Sequence, residues 1–440
     1  MNTPIKDFTD KYASSGTVRA HMPGHKGKSG CELDITEIMG ADSLFEAQGI
    51  IAESEKNASR IFGSHKTVFS AGGSTLCIQT MLAMCTGRSK KVVAARNCHR
   101  AFLSACVLLG LDVTWIYPEY ENTVVSGRIT PEAVEKAIIK AGEPACVYIT
   151  SPDYLGKSAP LDEIGAVCKR YGVRLAVDNA HGAYLRFIYD EKGVPLHPIY
   201  HGADICCDSA HKTLPVLTGG AYLHIIDPKL EKYDGFAKEK MALFGSSSPS
   251  YLILRSLDIC NGFMEKAADK YFSLMKEHSI RLKKRLSPAW QIEEGEWGKL
   301  VIFAPGAGFT GHELADRFRD NGIECEYADN VHVVFMLTGL EADEFDRIAA
   351  AAEAIRQPRI FVPVPELSGA APLERTMSIR EAALSESENI PADEAEGRIC
   401  AVPVSCCPPG IALVVSGEVF SKNSINILKN YSIFRVNVVK

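Results

Sequence analysis

The sequence has no surplus of positive charge: 48 lysines and arginines face 54 aspartates and glutamates, for a formal net charge of −6. A chain balanced in this way offers no broad cationic surface to nucleic-acid phosphates or anionic lipid, and neither is expected as a partner. No apolar run approaches the roughly 20 residues a membrane-spanning helix needs. The opening MNTPIKDFTDKYASSG lacks both the basic start and the apolar stretch of a secretory signal, which predicts a cytoplasmic protein. No CxxC spacing occurs among the 14 cysteines. Cys206–Cys207 and Cys406–Cys407 are adjacent pairs, which argues against a zinc site, and no metal is expected. Most cysteines lie in apolar runs such as ACVYIT and DICCDS, as small buried reduced thiols do. Internal repeats and low-complexity segments are also missing. With 46% hydrophobic and 23% charged residues, a chain of 440 can bury a substantial core and has the length of a two-domain enzyme.

What is present is alternation. Between about Glu46 and Asp227, helical patterns alternate with the short apolar runs KKVVAAR, ACVYITS, VRLAVDNA, DICCDSA and AYLHII. That order predicts a mostly parallel sheet covered by helices, with chemistry just beyond the carboxyl ends of the strands. The stretch from Pro249 to Ser287 is long, amphipathic and almost free of proline, and reads as helix leaving a first domain. Beyond it KLVIFAP, HVVFMLTG and RIFVPVP read as strands and EADEFDRIAAAAEAIR as a helix. The expected organisation is an arm at 1–45, rich in Gly and Pro and without regular structure, a large domain at 46–287 and a smaller one at 288–440.

Four constellations stand where chemistry is expected. Lys212, in SAHKTLPVLTGG, follows the apolar run DICCD. A lysine is ordinarily a solvated surface charge, but one placed after a buried strand can be desolvated and used to form an imine. Ser209 and His211 flank it as donors suited to a phosphate. Asp178 closes the strand VRLAVD, with His181 three residues later. An acid buried there needs a cation: a protonated pyridine nitrogen is one candidate, while capping the next helix is the competing role. Gly72, Gly73, Ser74 and Thr75 open a helix, where glycines permit close backbone approach and free amides suit a phosphate, although an ordinary cap uses the same residues. His99, in RNCHRAF after VVAA, could stack on a flat ring or serve structurally. In chain order these are a phosphate cradle, a ring stacker, a ring-nitrogen acid and an imine lysine, the set that a pyridoxal-phosphate fold needs.

HMPGHKG, DITEIMGADSLFEAQGIIAESEKNASRIFGS, RNCHRAF, DNAHGAYL, SAHKTLPVLTGG and SSSPSYLILRSLD together resemble the ornithine/lysine/arginine decarboxylase family over roughly residues 20 to 260. The resemblance implies the α/β fold of the type I pyridoxal-phosphate enzymes, with a large domain built on a mostly parallel seven-stranded sheet covered by helices and a smaller C-terminal α+β domain. It makes Lys212 the Schiff-base lysine, Asp178 the partner of the ring nitrogen and His99 the stacking ring. Gly73, Ser74, Thr75, Ser209 and His211 would hold the phosphate, and His181 would lie near the cofactor's phenolic oxygen or the substrate. Such sites form between subunits of a homodimer, or of a dimer of dimers, so Ser247 in SSSPS would reach the neighbouring copy's phosphate. The implied reaction converts arginine, lysine or ornithine to an amine and carbon dioxide. Another pyridoxal-phosphate reaction, an aminotransferase or lyase step, and a cofactor-binding regulator without turnover are the alternatives. The chain resembles the shorter members, which carry no N-terminal wing domain. It departs from the family pattern at Val402, at Cys407 to Ala412 and at Asp153, where a cation-binding role competes with capping of a turn.

Overall fold

The computed structural model describes residues 1–87, 89–120, 122–358, 360–364, 372–405 and 410–440. The chain divides into two compact units, one of Met1–Ser89, Ala145–Tyr148 and Leu161–Phe272, the other of Lys90–Pro144, Ile149–Pro160 and Ser273–Lys440. Among the described residues, no helix is long and apolar enough to cross a membrane.

Seven strands form the main sheet: β1 (Lys66–Ser70), β2 (Lys91–Ala95), β3 (Asp112–Ile116), β4 (Cys146–Thr150), β5 (Arg174–Asp178), β6 (Ile205–Asp208) and β7 (Ala221–Ile225), in the order β1-β7-β6-β5-β4-β2-β3. They are almost continuously buried, as the uninterrupted apolar runs require of strands covered on both faces. The pairs β2–β3 and β5–β6 are parallel, whereas β7 runs antiparallel to both β1 and β6. The register positions the chemistry. Asp178 lies opposite Cys207, Asp208 opposite Tyr222, and Ser70 opposite Ala221. The carboxyl ends of β1, β5 and β6 and the start of β7 are therefore level along one edge of the sheet.

The first unit carries the helices α1 (Pro4–Ala13), α2 (Ile50–Phe62), α3 (Gly73–Cys85), α6 (Leu161–Arg170), the single-turn α7 (Ala210–Thr213) and α8 (Phe236–Ala242), while α4 (Arg100–Leu109) and α5 (Pro131–Ala141) belong to the second. Helix α2 stops at Gly63, whose φ of 80° is the left-handed conformation that glycine adopts without strain. The long amphipathic stretch is one helix, α9 (Tyr251–Leu286), of 36 residues. In the second unit β8 (Lys299–Phe303) and β10 (His332–Met336) pair antiparallel, with β9 (Tyr327–Ala328) on the far side of β10. Their inner face and the helices α10 (Gly311–Asp320) and α11 (Ala342–Ala354) share a core that includes Trp290, Leu300, Phe318, Phe335 and Phe345. A second small core around Cys400, Phe420, Leu428 and Val438 backs the antiparallel pair of Ser387–Pro391 and Arg435–Val439.

Two expectations from the sequence fail. The first 45 residues are not all irregular, because PIKDFTDKYA forms α1 with Pro4 at its first turn, the one helical position where a missing N–H costs nothing. Residues 360–364 of RIFVPVP form no strand, since Pro363 cannot donate to a ladder; of this stretch Val362 N donates to Pro305 O, and Ile360 and Phe361 stay exposed.

Candidate active site

Lys212 lies in α7, the turn that begins as β6 ends. Its amide donates to Ser209 O at 2.9 Å, and its Nζ lies 2.9 Å from His181 Nε2. A lysine and a histidine at that distance cannot both carry their full complement of protons toward one another, so one nitrogen accepts. The pairing keeps the amine, which follows β6, within reach of a base that follows β5.

Asp178 is 1% exposed. Its Oδ2 accepts from Tyr148 Oη at 2.9 Å, and its Oδ1 accepts from Ala180 N at 3.1 Å and, more weakly, from Cys207 Sγ at 3.8 Å. Burial pushes the Cys207 thiol well above its ordinary value, so Cys207 donates as a neutral group. The competing role for Asp178, a helix cap, is realised only as the short bond to Ala180 N. A carboxyl group this deep, with these donors, is suited to a cation placed against it.

Gly73 has a φ of 69°, and Gly72, at the cap position of α3, has no side chain to bond the amides of the first turn. The glycine pair Gly219–Gly220 joins this helix start to the lysine turn. Gly73 N donates to Gly219 O at 2.8 Å, and His211 N donates to Gly220 O at 3.2 Å, with His211 Nδ1 also 3.0 Å from that carbonyl. Ser209 Oγ lies 3.4 Å from His211 Nδ1. Gly73, Ser209, His211, Lys212, Asp178 and His181 are thus gathered on one edge of the first unit. Half-buried Ser74 and exposed Thr75 stand in the first turn of α3, and the amides that follow Gly73 there, with the two hydroxyls and the nearby Ser209 and His211, form a donor set that fits a phosphate.

The other expected residues stand differently. His99, in the second unit, is the N-cap of α4 and accepts from Ala101 N through Nδ1 at 3.1 Å, so its structural role is real whatever its ring face does. Ser247 is exposed in the irregular stretch before α9. Asp153 caps a turn: its carboxylate accepts from Leu155 N at 3.0 Å, Lys157 N at 2.9 Å and Ser126 Oγ at 2.6 Å, and burial raises its pKa. Of the divergent positions near the end of the chain, Cys407, Pro408 and Pro409 lie outside the described residues. Sequence reasoning missed Tyr148. The signal was there, as the phenol hydroxyl within the apolar run ACVYI, but nothing in one strand says which acid its neighbour carries.

The family described as "Orn/Lys/Arg decarboxylase, major domain" matches residues 3–302, and "Orn/Lys/Arg decarboxylase, C-terminal domain" matches residues 368–436. The chain is similar to an arginine decarboxylase of Bacillus subtilis, 29% identical over 468 aligned positions that cover 97% of this chain and 93% of the relative. It is 26% identical to the lysine decarboxylase LdcA of Pseudomonas aeruginosa over 58% of this chain and 36% of that one. Among solved structures, the lysine decarboxylase LdcF of Francisella novicida superposes with a TM-score of 0.81 at 16% identity, covering 100% of this chain and 81% of the other. The constitutive lysine decarboxylase of Escherichia coli superposes with a TM-score of 0.79 at 17% identity, over 100% and 82%. At such identities the structures speak for the fold.

Proposed function

Because the chain belongs to the Orn/Lys/Arg decarboxylase family and is an amino-acid decarboxylase of fold type I, we propose that it uses pyridoxal 5′-phosphate held on Lys212, and that its substrate is arginine in preference to lysine or ornithine. The observation that carries the cofactor assignment is the 2.9 Å approach of Lys212 Nζ to His181 Nε2, on the edge that also holds Asp178. Arginine is favoured because the Bacillus subtilis relative named an arginine decarboxylase is matched over nearly the whole of both chains, whereas the lysine decarboxylase LdcA is matched over little more than half of this chain.

The residues divide the work as follows. Lys212 must present a neutral Nζ to attack a carbonyl, and His181 Nε2 is placed to take its proton. The first turn of α3, with Gly73, Ser74 and Thr75, together with Ser209 and His211, binds the phosphate. Asp178, oriented by Tyr148 and the Ala180 amide, would keep a proton on the cofactor's ring nitrogen. His99 would support the ring face, and exposed Ser247 would approach the phosphate of a second copy in a homodimer. Bound there, pyridoxal phosphate supplies an electron sink for the pair left when the carboxylate departs as carbon dioxide. Lys212 Nζ or His181 Nε2 then returns a proton to the carbon.

The test of this site is chemical. The protein reconstituted with pyridoxal phosphate and reduced with borohydride should carry one stable pyridoxyl group, and peptide mass mapping should find it on Lys212. Label on another lysine, or an undiminished yield in Lys212→Ala, would contradict the assignment.

A further inference from the structure

We propose that Asp208 is a positioning residue, a fully buried anion that ties the ends of β5 and β6 together and so fixes Lys212 relative to Asp178. The proposal rests on the roles given above to those two residues. Asp208, His197 and His224 are all 0% exposed. His197 Nε2 lies 2.9 Å and His224 Nε2 3.1 Å from Asp208 Oδ2, while Asn179 Nδ2 donates to Oδ1 at 2.7 Å. The ring of Phe62 lies 4.5 Å from His224 and 5.7 Å from His197, centre to centre, and closes the cluster to water.

Two histidines and an aspartate this close could also be the ligands of a metal ion. The protons decide against it. Ile199 N donates to His197 Nδ1 at 3.3 Å, so that nitrogen has no hydrogen and the neutral ring carries its proton on Nε2, facing Asp208. Thr67 Oγ1 lies 2.8 Å from His224 Nδ1 and 2.7 Å from Ser64 Oγ. If Ser64 donates to Thr67 and Thr67 to Nδ1, His224 also turns an Nε2–H to Asp208. A metal ligand of this kind has the opposite pattern, its lone pair toward the metal and its other N–H donated outward. Asn179 Nδ2 also lies 3.0 Å from His197 Nε2, a contact between two groups that in this pattern both turn a hydrogen to the carboxylate. With that pattern the cluster is a single carboxylate taking three N–H donors, and burial keeps the His224 imidazole from charging.

The positions of these groups give the network its effect. Asn179 follows Asp178 directly and is held to β6 twice, its amide donating to Cys207 O at 2.9 Å and its side chain to Asp208. Ser209 follows Asp208 directly, and its carbonyl receives the Lys212 amide. One anion thus fixes the residue after the ring-nitrogen acid and the residue that starts the lysine turn. His197 and His224 secure that anion from outside the edge where chemistry occurs. Replacing Asp208 by Asn puts an NH₂ among N–H donors and leaves at least one buried donor unmatched.

The measurement uses the full chain with pyridoxal phosphate. Asp208→Asn should weaken cofactor binding roughly 10- to 100-fold and move the pH at which the lysine imine loses its proton, with the far-ultraviolet spectrum unchanged. His224→Gln keeps a donor toward Asp208 and an acceptor for Thr67, and should lose less than His224→Leu, which has neither; this pair decides the matter if Asp208→Asn does not fold. Nitrogen-15 spectra of the imidazoles, which need no cofactor, should show His197 and His224 neutral with the proton on Nε2. Overturning results are an Asp208→Asn protein that melts earlier but keeps wild-type cofactor affinity and imine pH profile, equal losses in the two His224 variants, or Nδ1–H or metal-bound imidazole signals. A wild-type protein that forms no imine would instead sink the assignment of Lys212.

Discussion

Tyr148 donates its phenol to Asp178 from within a buried strand, and that bond has a measurable weight. A hydrogen bond to a buried charged group contributes about 1.5–3 kcal/mol, and removing the hydroxyl leaves the carboxylate with the Ala180 amide and a weak thiol donor. Tyr148→Phe should lower kcat by about tenfold with the cofactor still bound; an unchanged kcat would show that Asp178 needs no help in holding its charge. Lys212, Asp178, His181 and Gly73 were legible in the sequence because each interrupts an apolar run, or follows one, with a residue type that a buried strand end rarely holds without a use. Tyr148, Asn179, His197 and Asp208 were not. Their roles come from the register between strands far apart in the chain, which no single run of residues encodes. Asp153 shows the opposite case: its role as a turn cap lies within four residues, and local reasoning reached it.

At the scale of elements, helix α1 depends on a residue of α9. The amides of Ile5 and Lys6 both donate to Asp258 Oδ2 at 3.0 Å, and Ser54 Oγ donates to Oδ1 at 2.6 Å, so a carboxylate 253 positions away in sequence caps the free N–H groups of the first turn. Burial nevertheless prevails over these donors and raises the Asp258 pKa to about 6. The sign follows from the proton count. Between the ordinary carboxyl value and about 6 the folded protein holds a proton that the unfolded chain has released, so this group's contribution to stability is full at the acid end and is lost as pH rises to about 6. Asp258→Asn cannot titrate. Its stability relative to the parent should therefore improve between pH 4 and pH 6, by on the order of 1–3 kcal/mol, in urea unfolding followed by circular dichroism. A constant difference across that range would contradict the raised pKa. The strands of the main sheet were legible because burial on both faces demands continuous apolar runs, and α11 because its apolar positions repeat at helical spacing. Helix α1 was missed because what stabilises it is the Asp258 cap, supplied by another part of the chain.

The whole molecule combines family matches over residues 3–302 and 368–436 with an edge of the sheet where a lysine, a histidine and a buried acid converge. The charge balance that argued against nucleic acid is compatible with a small charged substrate, because a small molecule is recognised by a few placed groups and not by a broad surface field. What the sequence left open is the side chain of the substrate. The motifs legible in it are those proposed to hold the cofactor, and such a cofactor is indifferent to the distal group of the amino acid. The central claim is met most directly by incubating the protein and pyridoxal phosphate with arginine, lysine and ornithine separately, and measuring carbon dioxide and the amine formed. The account predicts equal amounts of the two products, fastest from arginine and absent in Lys212→Ala; a keto acid formed without carbon dioxide would contradict it.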